Sequence, residues 1–268
     1  MLTPELRAFA QVPDRYTRLS PDVERYVCDR YGVIQGTVWA GVFGVRVGAD
    51  EVEELLAEVR ARIPAQKEAA WWIDPDAQPA DLHERLIALG LEVPETGGTL
   101  HALACTTEPP PAREEIDVRR VETYEEFEAA SEIVWSAFST AEQRERQLQT
   151  LRQEFEAQRT AGVPVTFLAY LDGRPAGVGR SVYSDRGVFL IAGSVAEWAR
   201  GRGVYRALVR ARWEDAVARG TPGLVTEAMP DTSYPILKRL GFEDVCIIRR
   251  LKDRRPRGQP SGSTSPDS

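Results

Sequence analysis

Arg200-Gly201-Arg202-Gly203-Val204-Tyr205 stands between an apolar run and an amphipathic one, and its residue types offer more chemistry than any other segment of the chain. The run before it, Val188-Phe189-Leu190-Ile191-Ala192-Gly193-Ser194-Val195, reads as a buried strand. Behind it, Val204, Leu208, Ala211 and Ala218 recur at helical spacing, so the glycines fall in a strand-to-helix turn. Such a turn aims several unbonded backbone N–H groups at one spot, where the helix dipole adds partial positive charge. Glycine lets a ligand approach the backbone, and Arg200, Arg202 and Arg206 add full charges. The chemistry on offer is capture of a phosphorylated ligand.

The segment is neither of the common nucleotide loops. A P-loop needs Gly-Lys-Ser/Thr after four intervening residues, and a dinucleotide fingerprint needs a third glycine where Arg206 stands. The elements around the turn also differ from a βαβ unit. Val165 to Leu171 alternates as a strand, Asp172-Gly173 is a hairpin turn, and Ala176 to Tyr183 is the partner strand. Ser184-Asp185-Arg186-Gly187 then turns the chain into the strand at 188–195. An antiparallel meander therefore leads into the glycine turn and its helix. A strand at Leu224 to Ala228, a helix ending at Gly241 and a last strand from Phe242 complete the order.

In this order of elements the chain resembles the GNAT acyl-CoA-dependent N-acyltransferases. Their signature is Gln/Arg-x-x-Gly-x-Gly/Ala after the fourth strand. Arg200, Gly201, Arg202, Gly203 and Val204 fit it, and Ala207-Leu208-Val209 continues it. Leu237-Lys238-Arg239-Leu240-Gly241-Phe242 resembles the family's second landmark, a short helix closing on Leu-Gly-Phe. The two landmarks cover roughly residues 116–251. The resemblance implies that the N–H groups from Gly201 through Val204, Tyr205 and Arg206 hold the pyrophosphate of acetyl-CoA, the co-substrate. It also implies that Ser194 and Val195 lie beside the pantetheine arm and the acyl carbonyl. Ser233, opening the last helix, joins the same coenzyme-binding set. The chain departs from the family at Tyr205, where Gly or Ala is preferred, at Pro230, which replaces a frequent Asn, and at Leu237. Many members carry at that last position a Tyr thought to protonate the leaving thiolate. The acid is therefore unassigned by resemblance.

Acyl transfer to an amine needs a neutral amine, a polarised thioester and a route for protons. The Val195 N–H, at a strand splay, is a candidate oxyanion partner. The fourth strand holds no carboxylate, so Glu227 in the next strand is the candidate base, and Ser194 or Tyr183 could hold a water. Tyr234 is the candidate acid. Glu227 is equally readable as an exposed strand residue and Tyr234 as a packing ring. No metal enters this reading, because His83 and His101 have no Cys or carboxylate at ligand spacing. Cys28, Cys105 and Cys246 are scattered and odd in number, which favours reduced thiols over a disulfide framework.

The 268 residues suffice for two modest domains. Thr106-Thr107-Glu108-Pro109-Pro110-Pro111-Ala112 reads as the linker, since successive prolines fit neither a helix interior nor a central strand. The chain on its N-terminal side resembles a weak copy of the chain on its C-terminal side. Leu86-Ile87-Ala88-Leu89-Gly90-Leu91 matches the Leu237–Phe242 landmark, and Trp71-Trp72-Ile73 takes the place of the fifth strand. Val52 to Ile63 is an amphipathic helix in the place of the coenzyme-binding one. Its start, Gly48-Ala49-Asp50-Glu51, lacks the glycine turn, and its carboxylates would repel a pyrophosphate. Adjacent Trp71 and Trp72 must face opposite sides of a strand. Trp198, just before the glycine turn, stands where an adenine or pantetheine could touch it.

The expected fold class is therefore α+β (α/β mixed), with two GNAT-like domains, each a mixed, mostly antiparallel sheet flanked by helices. The expected division is a degenerate N-terminal domain at 1–105, a linker at 106–112, a catalytic domain at 113–252 and a disordered tail at 253–268. The helical region from Thr140 to Arg159 has a narrow apolar stripe, Leu148, Leu151 and Phe155. In the family's layout it borders the acceptor site, where Glu142, Glu145, Glu154 and Glu156 could meet a cationic substrate, though a solvated helix face explains them equally well. The first residues lack a signal peptide's basic-then-apolar order, and no apolar run nears a membrane span, so a cytoplasmic location is expected. The net charge of −7 makes the basic stretch after Arg249 a solvated tail sooner than a nucleic-acid contact. The reading is an N-acetyltransferase moving an acetyl group to a small-molecule or peptide amine, working as a monomer or homodimer. The alternative is a non-catalytic acyl-CoA-binding module.

Overall fold

The computed structural model describes residues 2–254, and the expected tail lies outside the described residues from position 255 onward. In chain order the elements are α1 (Pro4–Gln11), β1 (Glu24–Val27), β2 (Gly32–Gln35), β3 (Trp39–Phe43), α2 (Val52–Arg62), β4 (Glu68–Ile73) and α3 (Leu82–Ala88). Next come β5 (Thr99–Cys105), β6 (Ile116–Arg120), α4 (Tyr124–Phe138), α5 (Ala141–Ala161), β7 (Val165–Leu171), β8 (Arg174–Ser184) and β9 (Gly187–Val195). The chain closes with α6 (Val204–Ala218), β10 (Leu224–Ala228), α7 (Ser233–Arg239) and β11 (Glu243–Asp253). Mixed sheets flanked by helices make this an α+β protein.

Two compact units emerge, and they do not divide at the prolines. The larger holds the chain up to Glu24 together with Thr99–Ile248, and the smaller holds Arg25–Gly98 and the residues from Arg249. The division expected at 105/106 fails because backbone pairing overrides chain order. Strand β5, on the N-terminal side of the prolines, pairs antiparallel with β10, Leu224 facing Cys105 and Ala228 facing His101. The end of β11 pairs antiparallel with β4, Arg249 facing Ile73 and Asp253 facing Ala69.

In the smaller unit β2 and β3 are antiparallel, while β3 and β4 are parallel. Helix α2 turns Val52, Leu55, Leu56 and Val59 onto this sheet, and α3 turns Leu82 and Leu86 onto it, around Val42, Trp71 and Ile73. Burying each such side chain contributes roughly 1.5–3 kcal/mol.

In the larger unit the strand order is β5-β10-β9-β8-β7-β6. The contact between β9 and β10 is parallel, and β10–β5, β9–β8, β8–β7 and β7–β6 are antiparallel. Alternation along β7 divides the helices between two faces. Leu168, with Val178, meets Ala130 and Ile133 of α4, whereas Phe167, Ala169 and Leu171 share a cluster with Val204 and Leu208 of α6. Helix α1 covers Ala104 and Val225. Capping boxes start α4, through Thr123 and Glu126, and α5, through Thr140 and Gln143. The stripe expected on α5 is shorter than its spacing suggests. Leu151 and Phe155 are buried, but Leu148 is exposed.

Candidate functional site

Strand β9 leads into α6 through a short 3-10 turn at Glu197–Ala199 and two glycines in left-handed conformation, Gly201 (φ 76°) and Gly203 (φ 93°). An L side chain at either position would be strained, so the turn requires glycine. Gly203 occupies the cap position of α6, and no side chain caps the helix. The ladder begins with the Ala207 N–H donating to the Gly203 carbonyl at 3.1 Å. The N–H groups of Val204, Tyr205 and Arg206 therefore precede it. A helix started this way turns unbonded N–H groups and the positive end of its dipole outward, the chemistry an anion needs.

The cations around it differ from those the spacing suggests. Arg202 is drawn into an ion pair with Asp172 on the β7–β8 hairpin (3.1 Å), and Arg200 is exposed. The guanidinium groups beside Gly203 are Arg113 and Arg206. A Cβ placed on Gly203 would lie 3.5 Å from Arg113 Nε and 3.7 Å from Arg206 Nη2. Arg206 Nε is buried without a hydrogen-bond partner. Arg113 was missed by sequence reasoning, because nothing local distinguishes it at the end of the proline stretch. The phosphates of acetyl-CoA fit this donor set: unbonded N–H groups, two converging guanidinium groups and open space over Gly201.

The other half of the site is a parting of β9 from β10. Their parallel ladder covers only Val188–Leu190 against Leu224–Thr226, although β9 runs on to Val195 and β10 to Ala228. Within β9 the register against β8 shifts. Val178 faces Ser194 and Arg180 faces Ile191, so Ala192 and Gly193 together oppose Gly179. This is a β-bulge, with Ala192 held at φ 50°. Beyond it the Ala196 N–H donates to the Ala176 carbonyl at 2.9 Å. Antiparallel alternation then turns the Val195 N–H away from β8, toward the side where β10 has parted.

The remaining candidates scatter. Ser194 is buried, and its hydroxyl donates to the Ile133 carbonyl of α4 (3.4 Å), so only its backbone borders the parting. The Ser233 hydroxyl accepts from the Met229 N–H at 3.1 Å and so ties the β10–α7 turn. The Tyr183 hydroxyl is committed to Asp215 of α6, a buried carboxylate that also pairs with Arg120 and Arg219. Trp198 is partly exposed with the Arg174 guanidinium 4.4 Å from its ring centroid. Val204 is buried in the core beneath α6.

Glu227 and Tyr234 flank the end of β10 from opposite faces. Alternation places half-buried Glu227 on the face of Val225, opposite Ala102. Tyr234 packs with Ala228 on the other face, its ring 4.1 Å from that of His101. A hydrogen bond from the Tyr234 hydroxyl to Asp244 raises its pKa, with burial adding to the effect. His101 Nδ1 lies 3.8 Å from Asp244, so it belongs to the surroundings of Tyr234. Leu237 is fully buried and offers no proton.

No family model and no curated protein matches the sequence. Solved structures do. A GCN5-related N-acetyltransferase from Kribbella flavida superposes with a TM-score of 0.63 at 19% identity, covering 96% of this chain and 98% of that one. A functionally unknown conserved protein from Staphylococcus epidermidis reaches 0.66 at 11% identity, over 92% and 100% of the two chains. A tandem GNAT protein from the clavulanic acid biosynthesis pathway reaches 0.57 at 14% identity, over 94% and 88%. The chain therefore has the fold of the GCN5-related N-acetyltransferases.

Proposed function

We propose that the chain is an acyl-CoA-dependent N-acyltransferase, with acetyl-CoA as donor and an amine as acceptor, and that its coenzyme site lies in the larger unit. The observation that carries this reading is the uncapped start of α6, faced by Arg113 and Arg206, at the end of the strand that parts from its parallel neighbour. Bound there, acetyl-CoA supplies a thioester open to attack by an amine. The N–H groups of 204–206 and the two arginines bind its phosphates. The Val195 N–H donates to a carbonyl oxygen placed in the parting.

Proton traffic divides between the faces of β10. As the N–C bond forms and the C–S bond breaks, the amine must lose a proton and the thiolate must gain one. Glu227 is the acceptor of the first, and Tyr234 the donor of the second. Tyr234 brings a phenol that is protonated at neutral pH to the end of β10, its pKa raised by the hydrogen bond to Asp244. Among the described residues no helix is long and apolar enough to cross a membrane. A cytoplasmic enzyme acting on soluble amines fits that observation.

The test is thiol release from acetyl-CoA with a panel of small and peptide amines. At least one amine should accelerate release, and Glu227→Gln and Tyr234→Phe should each slow it about a hundredfold, within the usual range for a general acid or base. A second reading, a non-catalytic acyl-CoA-binding module, is favoured by the buried Leu237 alone. Tight coenzyme binding with no amine accelerating release would establish it.

A further inference from the structure

Tyr205 and Arg212 lie two turns apart on one stripe of α6, and both press on the β-bulge from behind. The sheet is bare where they meet it. A Cβ on Gly193 would stand 3.0 Å from Tyr205 Cε2, and a Cβ on Gly179 would stand 2.7 Å from Arg212 Cζ. These glycines belong to the two sides of the same irregularity, since Gly179 is the residue that Ala192 and Gly193 jointly oppose. The helix side chains thus occupy the volume that two strand side chains would otherwise take.

Arg212 is costly for a merely structural filler. It is 1% exposed, yet no carboxylate lies within ion-pair distance of it among the described residues. Its Nε donates to the Leu208 carbonyl (3.0 Å) and its Nη1 to the Arg180 carbonyl (3.5 Å), while Nη2 is buried without a partner. Of the two carboxylates that follow it on the helix, Glu214 pairs with Arg210, and Asp215 is engaged by Arg120, Arg219 and Tyr183. The other polar side chain acting on Arg212 is Tyr205, whose phenol burial keeps neutral. Replacing such a cation with an apolar chain of similar length usually costs little or stabilises. A core that keeps one has a reason other than stability.

We propose that Tyr205 and Arg212 are positioning residues of the acyl-CoA site: pressed through Gly193 and Gly179, they hold the bulge that turns the Val195 N–H toward the parting of β9 and β10. The same helix that begins at the phosphate-binding turn thereby sets the donor for the acyl carbonyl. Phosphate capture and carbonyl alignment become properties of one rigid element. Tyr205, which departs from the family's small residue in the glycine motif, gains a purpose: its ring needs the space that Gly193 leaves. The inference rests on the coenzyme site proposed above.

The experiment is carbon-13 NMR of acetyl-CoA labelled at the acetyl carbonyl, bound to the full chain, alongside calorimetry with unacylated coenzyme A. Binding to the wild type should shift the carbonyl resonance from its free position. Arg212→Met should keep coenzyme A affinity within about threefold but return the resonance most of the way to the free value. Arg212→Lys, which keeps a cation there, should restore part of the shift. With an accepted amine, kcat should fall more than tenfold while the KM for acetyl-CoA stays put. A carbonyl shift unchanged in Arg212→Met, with that variant folded by circular dichroism, would overturn the inference and leave the coenzyme site standing. If Arg212→Met does not fold, Gly193→Ala, which displaces the Tyr205 ring, takes its place with the same two outcomes. A wild type that binds no acetyl-CoA would overturn the site and this inference together.

Discussion

The two units contain the same local motif, a strand parallel to its neighbour and followed by a helix, built to opposite ends. In the smaller unit β3 pairs with β4 along its whole length, from Trp39 facing Glu68 to Phe43 facing Trp72. In the larger unit β9 pairs with β10 over three residues and then parts from it. The helix starts differ in the same sense. At α2 the cap position is itself acidic: Glu51 makes no capping bond to the helix, but its carboxylate accepts from the Gly48 N–H at 2.6 Å and faces Arg30 at 3.7 Å. At α6 the cap position is Gly203, with no side chain at all, and two arginines face it. Continuous pairing leaves no parting beside α2, and the carboxylate at its start opposes an anion there.

The largest effect should come from making the second helix start resemble the first. Gly203→Asp places a carboxylate among Arg113, Arg206 and the free N–H groups, and should weaken acetyl-CoA binding at least a hundredfold by calorimetry. The fold should survive, since a strained side chain at positive φ costs about 1–3 kcal/mol. Next, Arg113→Met should weaken binding about tenfold, about 1.4 kcal/mol, and flatten its dependence on salt. A milder change tests the smaller unit. Asp50→Gly with Glu51→Gly should create no second coenzyme site, because the β3–β4 ladder leaves no cleft beside it. It should instead cost about 1 kcal/mol from lost helix-start stabilisation, read as a lower melting temperature. A second binding event in that variant would break the comparison.

The smallest effect concerns a third kind of helix start. The Glu126 carboxylate accepts from the N–H groups of Glu122 and Thr123, which hold its pKa below the ordinary glutamate value. Its stabilisation is present above the unfolded pKa and is lost as pH falls through the depressed folded value. Melting temperature should therefore fall on acidification below about pH 4, and less so in Glu126→Gln, whose amide can keep accepting. An identical acid profile in the two proteins would remove Glu126 from the account.

Much of this was legible locally. Val165–Leu171 and Leu224–Ala228 are strands at the expected bounds, because alternation and the Asp172-Gly173 turn are short-range signals. The start of α6 is equally local, its two glycines being needed for positive φ. What escaped was long-range. Nothing in Thr99–Cys105 says that it will pair with Leu224–Ala228, beyond the prolines that read as a domain boundary. Arg113 and His101 gain meaning only from what the fold sets beside them, Gly203 and Tyr234. The bulge at Ala192 carries no glycine at its left-handed position and so had no signature. Ser194, Tyr183 and Ser233 were readable as polar residues near the site, yet their hydroxyls are committed to Ile133, Asp215 and Met229.

The most direct test of the central claim, one coenzyme site in the larger unit and none in the smaller, is the stoichiometry of acetyl-CoA binding to the full chain by calorimetric titration, with Gly203→Asp alongside. The account predicts one site per chain, lost in the variant. Two sites per chain, or a single site indifferent to Gly203→Asp, would contradict it.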